Sequence, residues 1–530
     1  MEKNILKHAC TIRNIVFFAF YFLFILALSL SYNSADNDLW ARLINGKHVF
    51  QTGFPMFQDV FSYIPTHTWF DPEWLSSCFI YIIQDNFGIT GLFFLKAFSV
   101  FFILLMLFYS LKFAKKIDSV SPIFYLYFLH LFLVFGLLAW VRCQVITFFL
   151  IPLWLLLLEK ARKGEPKFLL FLPLIMLFWL NTHGGCIAGV GILFLYLIGQ
   201  ILAKKPFKNF LIAFIVSCLV FLINPWGIDY IQFMFHSAFV NRDWISEWQN
   251  TITSGIVPDI TKHHVILVFL SLFAYIYKIF KFKIPFSNLN KTKILVTVVV
   301  CLLSFKTIKH VALSWVVLWF YFYDEYLLLF KDILEALRKR FQISLSASFK
   351  IKTIFEIIIC AYICVYSITV FSTKDLKQAF FDSTLQKFPI YEAEFIKENK
   401  LKGTIISSFG YGSYLAYKLY PDVKIFMDGR QEQVYDDKMI DYLMYFYNQA
   451  GKEPDKILEL YPADYILTDK DNDLLIPHLL NVNYSLIYNS KHFALFVKKE
   501  KEKFSYEMPK IESKFYIDHI FDNNLNFKCK

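Results

Sequence analysis

Two carboxylates, Asp36 and Asp38, stand in the stretch ADNDLW directly after the first long apolar run, and a third, Glu73, follows in WFDPEWL. A carboxylate held beside a hydroxyl can take its proton as a new bond forms, which is general-base chemistry. Cationic, imidazole and amide side chains recur in a few other short polar segments. Arg142 lies in the turn between the third and fourth apolar runs, Asn181 and His183 in NTHGG, and Glu247 and Trp248 in SEWQ. Lys309 and His310 precede the tenth run, and Asp428 and Arg430 belong to FMDGRQE. Cations of this kind stabilise a departing phosphate. Together these types suit the transfer of a sugar from a lipid-linked phosphate to an acceptor hydroxyl. In an inverting displacement the base lies on the sugar face opposite the leaving group. A polyprenyl tail, which must stay in lipid, places such a site at the membrane–water boundary.

Each of these residues also has a plain structural reading. Asp36 and Asp38 suit solvated loop positions or helix caps. Arg142, Lys309 and His310 suit headgroup anchors, because basic side chains snorkel to the interface. NTHGG suits a helix C-terminal turn with a left-handed glycine, and Asp428–Gly429–Arg430 suits a turn after a strand. What separates the chemical reading from these is convergence: acid, base and cation types collect on one side of the topology derived next.

The elements that must position these residues follow from composition. Of 530 residues, 57% are hydrophobic and only 18% charged, and aromatics reach 20%. A soluble domain is about half apolar and a quarter charged, so an ordinary soluble enzyme is excluded in favour of a polytopic helical membrane protein. A hydropathy pass gives about eleven candidate spans of ~20 residues, near 14–32, 90–111, 119–141, 143–158, 167–181, 185–202, 207–224, 263–281, 293–308, 311–329 and 353–372. Residues 75–84 read as a re-entrant or interfacial helix inside a long first loop, 33–89.

The formal net charge of +11 is spread in short clusters between apolar runs, which suits topology rather than nucleic acid. Lys3, Lys7 and Arg13 put the N-terminus in the cytoplasm, and alternation places five further Lys/Arg clusters on the same side. The chain is thus expected in a cytoplasmic (inner) membrane. The nine cysteines are scattered without a CxxC, so neither a disulfide framework nor a zinc knuckle is supported.

Residues 1–372 then form the transmembrane domain and 373–530 an extracytoplasmic one. In the latter, the runs Gly403–Ser408, Val423–Met427, Tyr465–Leu467, Tyr484–Tyr488 and Phe493–Val497 read as strands, with helices over 437–449 and 455–461. The expected fold is therefore mainly α, a polytopic helical bundle, with a C-terminal α/β domain. The glycine-rich FGYGSY at 409–414 is too loose a match for a phosphate loop.

With those residues in view, the arrangement resembles the GT-C superfamily of polytopic glycosyltransferases. More closely, it is similar to a largely uncharacterised bacterial GT-C-like family. The residues that carry the likeness are Asp36-Asn37-Asp38-Leu39-Trp40, Pro55 to Tyr63 with Asp59, Glu73-Trp74-Leu75, Trp179 to Gly185, Asn224 to Gly227, Glu247-Trp248 and Asp428 to Arg430. The resemblance implies that an acidic residue of the first loop, Asp36 or Asp38, is the catalytic base or a metal ligand. Two positions depart from the family pattern. Pro72 stands where that pattern has His, so an acid–base role for that His is absent here, and Cys143 replaces a Pro between Arg142 and Gln144.

The expected catalytic set is Asp36, Asp38 and Glu73; the other residues named above bind substrate. The expected partners are membrane lipid, a polyprenyl-phosphate sugar donor and a glycan, lipid or protein acceptor, with no nucleic acid. Asp36 and Asp38, with Glu73 or His183, also make an oxygen-rich set suited to Mg²⁺ or Mn²⁺. Two other classes stay in view, a lipid-linked glycan flippase and a non-catalytic envelope scaffold. A transporter buries ionisable residues mid-span, and Lys96 is the clearest of few here.

Overall fold

The structure is a computed structural model that describes residues 2–114, 140–240, 242, 244–255, 258–342, 344–449, 453–503, 505–508, 517 and 519–527. Twelve described helices precede the α/β region: α1 (Glu2–Ser31), α2 (Leu39–Thr52), α3 (Trp74–Phe113), α4 (Gln144–Arg162), α5 (Leu172–Leu180), α6 (Cys186–Leu202), α7 (Lys208–Leu219), α8 (Ile228–Phe239), α9 (Pro258–Lys281), α10 (Lys291–Lys306), α11 (Val311–Arg340) and α12 (Leu345–Thr373). Among the described residues six of them, α1, α3, α4, α9, α11 and α12, are long and apolar enough to cross a membrane. This is the architecture of an integral, multi-pass membrane protein.

The expectation of about eleven full spans is corrected in detail. The run at 119–141 lies almost wholly outside the described residues. Each of the other runs is helical, but several are short. α5 has 9 residues, a rise of about 14 Å against a hydrocarbon core of about 30 Å. Pro166 and Pro173 account for its late start: Pro166 opens a 3₁₀ turn, Pro166–Phe171, and Pro173 follows at the helix entry. The re-entrant segment at 75–84 and the run at 90–111 are one helical stretch broken at Gly88, whose φ of 55° and ψ of −142° only glycine adopts at low cost.

The two ends of α4 carry two polar groupings, separated by 19 residues or about 28 Å of helix. At its C-terminal end Arg162 donates to both oxygens of Glu159 at 3.0 and 2.7 Å, and Tyr196 OH donates to Glu159 at 2.8 Å. Tyr321 OH donates to Tyr196 OH at 2.7 Å. Lys293 reaches the Tyr321 carbonyl at 2.9 Å and Glu325 at 2.8 Å, and Lys278 reaches Glu325 at 3.0 Å. One chain of bonds thereby ties α4, α6, α9, α10 and α11. The other end of α4 faces the candidate site.

The C-terminal region begins with α13 (Leu376–Lys387) and α14 (Ile390–Glu398) and builds a five-stranded mixed sheet. Its strands are β1 (Gly403–Ile406), β2 (Val423–Ile425), β3 (Tyr465–Asp469), β4 (Tyr484–Asn489) and β5 (Phe493–Lys498), in the order β2-β1-β3-β5-β4. β1 is parallel to β2 and β3, while β5 is antiparallel to β3 and β4. Every run read as a strand is a strand. FGYGSY instead opens α15 (Phe409–Leu419).

The first loop is part of this region's core. Ser62 pairs with Ile425 as a parallel bridge, Tyr63 N–H donates to the Ile425 carbonyl at 3.1 Å and Ile425 N–H to the Phe61 carbonyl at 2.9 Å. The loop so covers the open edge of β2. Trp40, Phe61 and Trp69 from the loop share one hydrophobic cluster with Tyr414, Ile425, Phe426 and Leu495. α2 in turn lies tightly on α3: a Cβ at Gly46 would stand 2.2 Å from the Ser77 carbonyl oxygen.

Trp40 is fully buried, its ring 4.8 Å from that of Tyr414 and 5.6 Å from that of Phe388. Trp40→Ala is expected to cost about 3–5 kcal/mol, seen as a lower Tm in detergent and faster proteolysis of the loop and α/β region. An unchanged melt would show that the loop is not packed as described.

Candidate active site

Asp36 and Asp38 lie in the short connection between α1 and α2. Asp38 occupies the N-cap position of α2, yet its side chain makes no capping bond; its carboxylate is open to solvent. Asp36 is buried and accepts from Arg142 Nε, with Arg142 Nη2 at 3.5 Å. Arg142 sits in the turn before α4 and donates through Nη1 to Glu247 at 2.9 Å. The other Glu247 oxygen lies 3.8 Å from Lys309 Nζ. Arg142 also stacks over Trp140, with the guanidinium carbon 4.7 Å from the ring centre, and Lys387 lies 4.3 Å from the same ring. Arg142 is therefore bound within the site rather than snorkelling. Trp248 carries two cations at its ring, Arg242 and Lys309, each at 4.3 Å, and meets the His310 ring edge-on at 6.3 Å.

Glu73 forms a second group at the N-terminus of α3. One of its oxygens lies 3.5 Å from Arg42 Nη1 and the other 3.4 Å from His183 Nε2. Arg42, one helical turn after Asp38, pairs with fully buried Asp71, which also accepts from Asn45. Asp71 accepts from the Glu73 backbone N–H at 2.9 Å, so the WFDPEWL turn is held by its own acid.

Neighbouring bonds fix the His183 tautomer. Trp179 Nε1–H donates to Thr147 Oγ1 at 2.9 Å, which leaves the Thr147 hydroxyl proton for His183 Nδ1 at 2.7 Å. Gly185 N–H donates to the same Nδ1 at 3.0 Å. Nδ1 is thus an acceptor, and the ring proton sits on Nε2, aimed at Glu73. Burial, then Lys309 and Arg42, hold the imidazole neutral by lowering it to about 3.

The carboxylates divide by their surroundings. Burial raises Glu247, but Arg142 and then Lys309 bring it down to about 2, so it is a fixed anion. The walls around Asp38, and then the Asp36 charge, push its carboxyl up to about 7, against Arg142. Its opening to solvent limits that rise. Burial also raises Glu73, with Arg42 opposing. Asp36, anchored by Arg142, thus stands near two carboxyls that their surroundings raise.

The remaining residues singled out in the sequence fall into place differently. Asn181 accepts from Trp74 Nε1 at 2.9 Å and donates to the carbonyls of Leu177 and Ile223, so its side chain braces the start of α3. Asp428 and Arg430 are buried: Arg430 Nε reaches Asp428 at 2.8 Å and Nη1 reaches Asp59 of the first loop at 2.7 Å. They latch the loop to the α/β region, and through that latch Gly429 comes beside Asp38, where a Cβ would lie 3.6 Å from Oδ1. Gln144 opens α4, two residues from Arg142. His310 Nδ1 bonds Thr307 Oγ1.

Four residues of the site were not singled out in the sequence: Arg42, Asp71, Arg242 and Lys387. Asp71 stands within WFDPEWL, and Arg42 follows Asp38 at the i+4 spacing of helix neighbours. Arg242 and Lys387 carry no such signal, because Glu432, the ion partner of Arg242, and Trp140 are distant in sequence. Among the described residues no group of three or more His, Cys, Asp or Glu side chains is set to hold a metal ion. Asp36 and Glu73 are each turned to an arginine.

No family model and no curated protein matches the chain. Solved structures share its fold, among them the two described next. The apo crystal structure of the Archaeoglobus fulgidus oligosaccharyltransferase superposes with a TM-score of 0.53 at 11% identity, over 84% of this chain and 69% of that one. The archaeal oligosaccharyltransferase AglB from the same organism, in complex with an inhibitory peptide and a dolichol-phosphate, gives 0.54 at 11% identity over the same shares. The chain thus has a fold similar to that of these oligosaccharyltransferases.

Removing Arg42 leaves Asp71 buried without its cation. Arg42→Leu is expected to cost about 3–5 kcal/mol, and Arg42→Leu/Asp71→Leu to recover part of that loss in a thermal melt. A silent Arg42→Leu would contradict the pairing.

Proposed function

We propose that this protein is an integral-membrane glycosyltransferase of GT-C type, moving a sugar from a polyprenyl-phosphate donor to an acceptor hydroxyl on the extracytoplasmic face. One observation carries the reading: an unbonded, solvent-open carboxylate, Asp38, stands beside an anchored carboxylate–cation chain, Asp36–Arg142–Glu247–Lys309. In this scheme Asp38 takes the proton of the acceptor hydroxyl as its oxygen attacks the anomeric carbon. The bond from that carbon to the phosphate oxygen breaks, and its electron pair leaves with the lipid phosphate. Arg142 and Lys309 balance the growing charge there. Asp36, already committed to Arg142, positions the cation. Glu73, with the His183 proton directed at it, holds the polar wall beside the sugar.

The fold supports this scheme, since a protein that shares it has been solved with a dolichol-phosphate bound. Lys96 weighs against a transporter. Its ammonium bonds the Ser29 carbonyl at 3.0 Å and Asn33 Oδ1 at 2.9 Å, at the loop end of α1 rather than mid-span. The membrane orientation, with the loop and α/β region outside, follows from the positive-inside distribution. Charge compensation by Arg142 and Lys309 takes the place of a divalent ion in the scheme.

Asp38→Asn is expected to lower transfer from a matching polyprenyl-phosphate sugar by about 10²–10⁴-fold while the protein stays inserted and binds donor. Full activity would refute Asp38 as base. A base raised toward 7 works only when ionised, so activity should rise through that pH on an ascending limb. Arg142 lowers Asp38, so residual activity in Arg142→Gln should show the limb at higher pH; a limb that stays in place would detach Arg142 from Asp38. Chelation of divalent ions should leave transfer unchanged, whereas loss restored by Mg²⁺ or Mn²⁺ would return Asp36 and Asp38 to the role of metal ligands.

A further inference from the structure

The α/β region holds a second concavity, none of whose lining residues belongs to the carboxylate site. It is a cavity of about 280 Å³ between the C-terminal ends of α14 and α15 and the start of β2, lined by Lys397, Lys400, Lys402 and Lys418 together with Asp422 and Asn524. Three of the lysines come from one stretch, IKENKLKG, and the fourth projects from α15. Lys418 is only 1% exposed. Its ammonium donates to the Asp522 carbonyl at 2.9 Å and the His519 carbonyl at 3.3 Å, with Glu394 at 3.5 Å. Lys402 lies 3.0 Å from Asp422, and Lys397 3.6 Å from Glu394.

Ordinary lysines at helix C-termini sit in solvent and balance the helix dipole. Here four lysines line one concavity against a single lining carboxylate, Asp422, and one of the four is buried; with Glu394 paired to Lys397 and Lys418 behind the wall, the lysines still outnumber the carboxylates two to one. A concave wall with an excess of one sign focuses potential and favours an anion. The type of cation narrows the anion. Arginine's planar fork matches a carboxylate edge, whereas ammonium groups are compact point charges that can approach several oxygens of a tetrahedral group from different directions. No arginine lines the cavity.

We propose that this cavity binds a phosphate dianion, either free or carried on a sugar. The site does not depend on the glycosyltransferase reading. Lys418 has a second property useful for a test: burial lowers its amine to about 8, so a share is unprotonated and nucleophilic near that pH.

The test uses the full chain in phosphatidylcholine nanodiscs and pyridoxal 5′-phosphate as probe. Its aldehyde condenses with a lysine amine, borohydride supplies the hydride that fixes the link, and peptide mass spectrometry locates the label. Labelling should concentrate on the cavity lysines, about tenfold over the exposed lysines elsewhere, and inorganic phosphate should protect them. Pyridoxal without its phosphate should spread evenly. Lys400→Gln/Lys402→Gln, at two exposed positions, should bring label on Lys397 and Lys418 to background without altering the elution profile. Protection by glucose 1-phosphate at lower concentration than inorganic phosphate identifies a sugar-phosphate seat, and equal protection a free-phosphate seat. Even labelling by both aldehydes, or cavity labelling that phosphate does not reduce, would overturn the proposal.

Discussion

The placement of Arg142 between two carboxylates is the constraint on which the site depends. Its guanidinium joins Asp36, from the connection after α1, to Glu247, from the segment before α9, and rests on Trp140. Three parts of the chain that are far apart in sequence meet at one planar cation. A partly buried arginine of this kind must have its donors satisfied, and the carboxylates around it must have theirs. That reciprocal demand fixes Asp36 and leaves Asp38, two residues on, free of any bond and open to solvent. One acid of this short loop is thus fixed as a brace while the next stays open to solvent.

The α/β region completes the site from the other side. The Asp59–Arg430–Asp428 latch, with Tyr435 OH accepting from Arg430 Nη2 at 3.1 Å, pins the first loop to the turn after β2. The glycine of that turn lies beside Asp38, where a Cβ would meet the carboxylate at ordinary contact distance. Arg242 reaches Glu432 just beyond the turn and lies against Trp248. Sheet, loop and helix ends therefore share one polar framework, and sheet and loop share one hydrophobic cluster as well.

Much of this was legible in the sequence because it rests on local periodicity. The long apolar helices, the strands and the kink between the segments near 80 and 100 each leave a signal of composition or spacing. Asp36, Asp38, Glu73, Arg142, His183, Glu247 and Lys309 were legible as a group because unlike charges on one face of a membrane protein need a reason. The rest depends on contacts that no local pattern encodes. Asp428 and Arg430 read as substrate ligands, yet they are consumed by Asp59, whose partner role follows only from the loop's pairing with β2. Asn181 is consumed likewise by Trp74. The short helices α5 and α7 read as spans because hydropathy does not register where an α-helix gives way to a 3₁₀ turn, before α5 and after α7. Arg42 and Asp71 were hidden because an internally satisfied ion pair looks, in sequence, like two ordinary loop charges.

The proposed transfer of a lipid-linked sugar rests on the Arg142-centred cluster. Its most direct test is transfer of radiolabel from a panel of polyprenyl-phosphate sugars, in membranes containing wild type, Arg142→Lys or Arg142→Gln at matched protein levels. Transfer from one donor by wild type, partial transfer by Arg142→Lys, which keeps the charge but not the fork, and only residual transfer by Arg142→Gln are expected. Wild-type transfer by Arg142→Gln, or label carried across the membrane with no covalent product, would contradict the proposal.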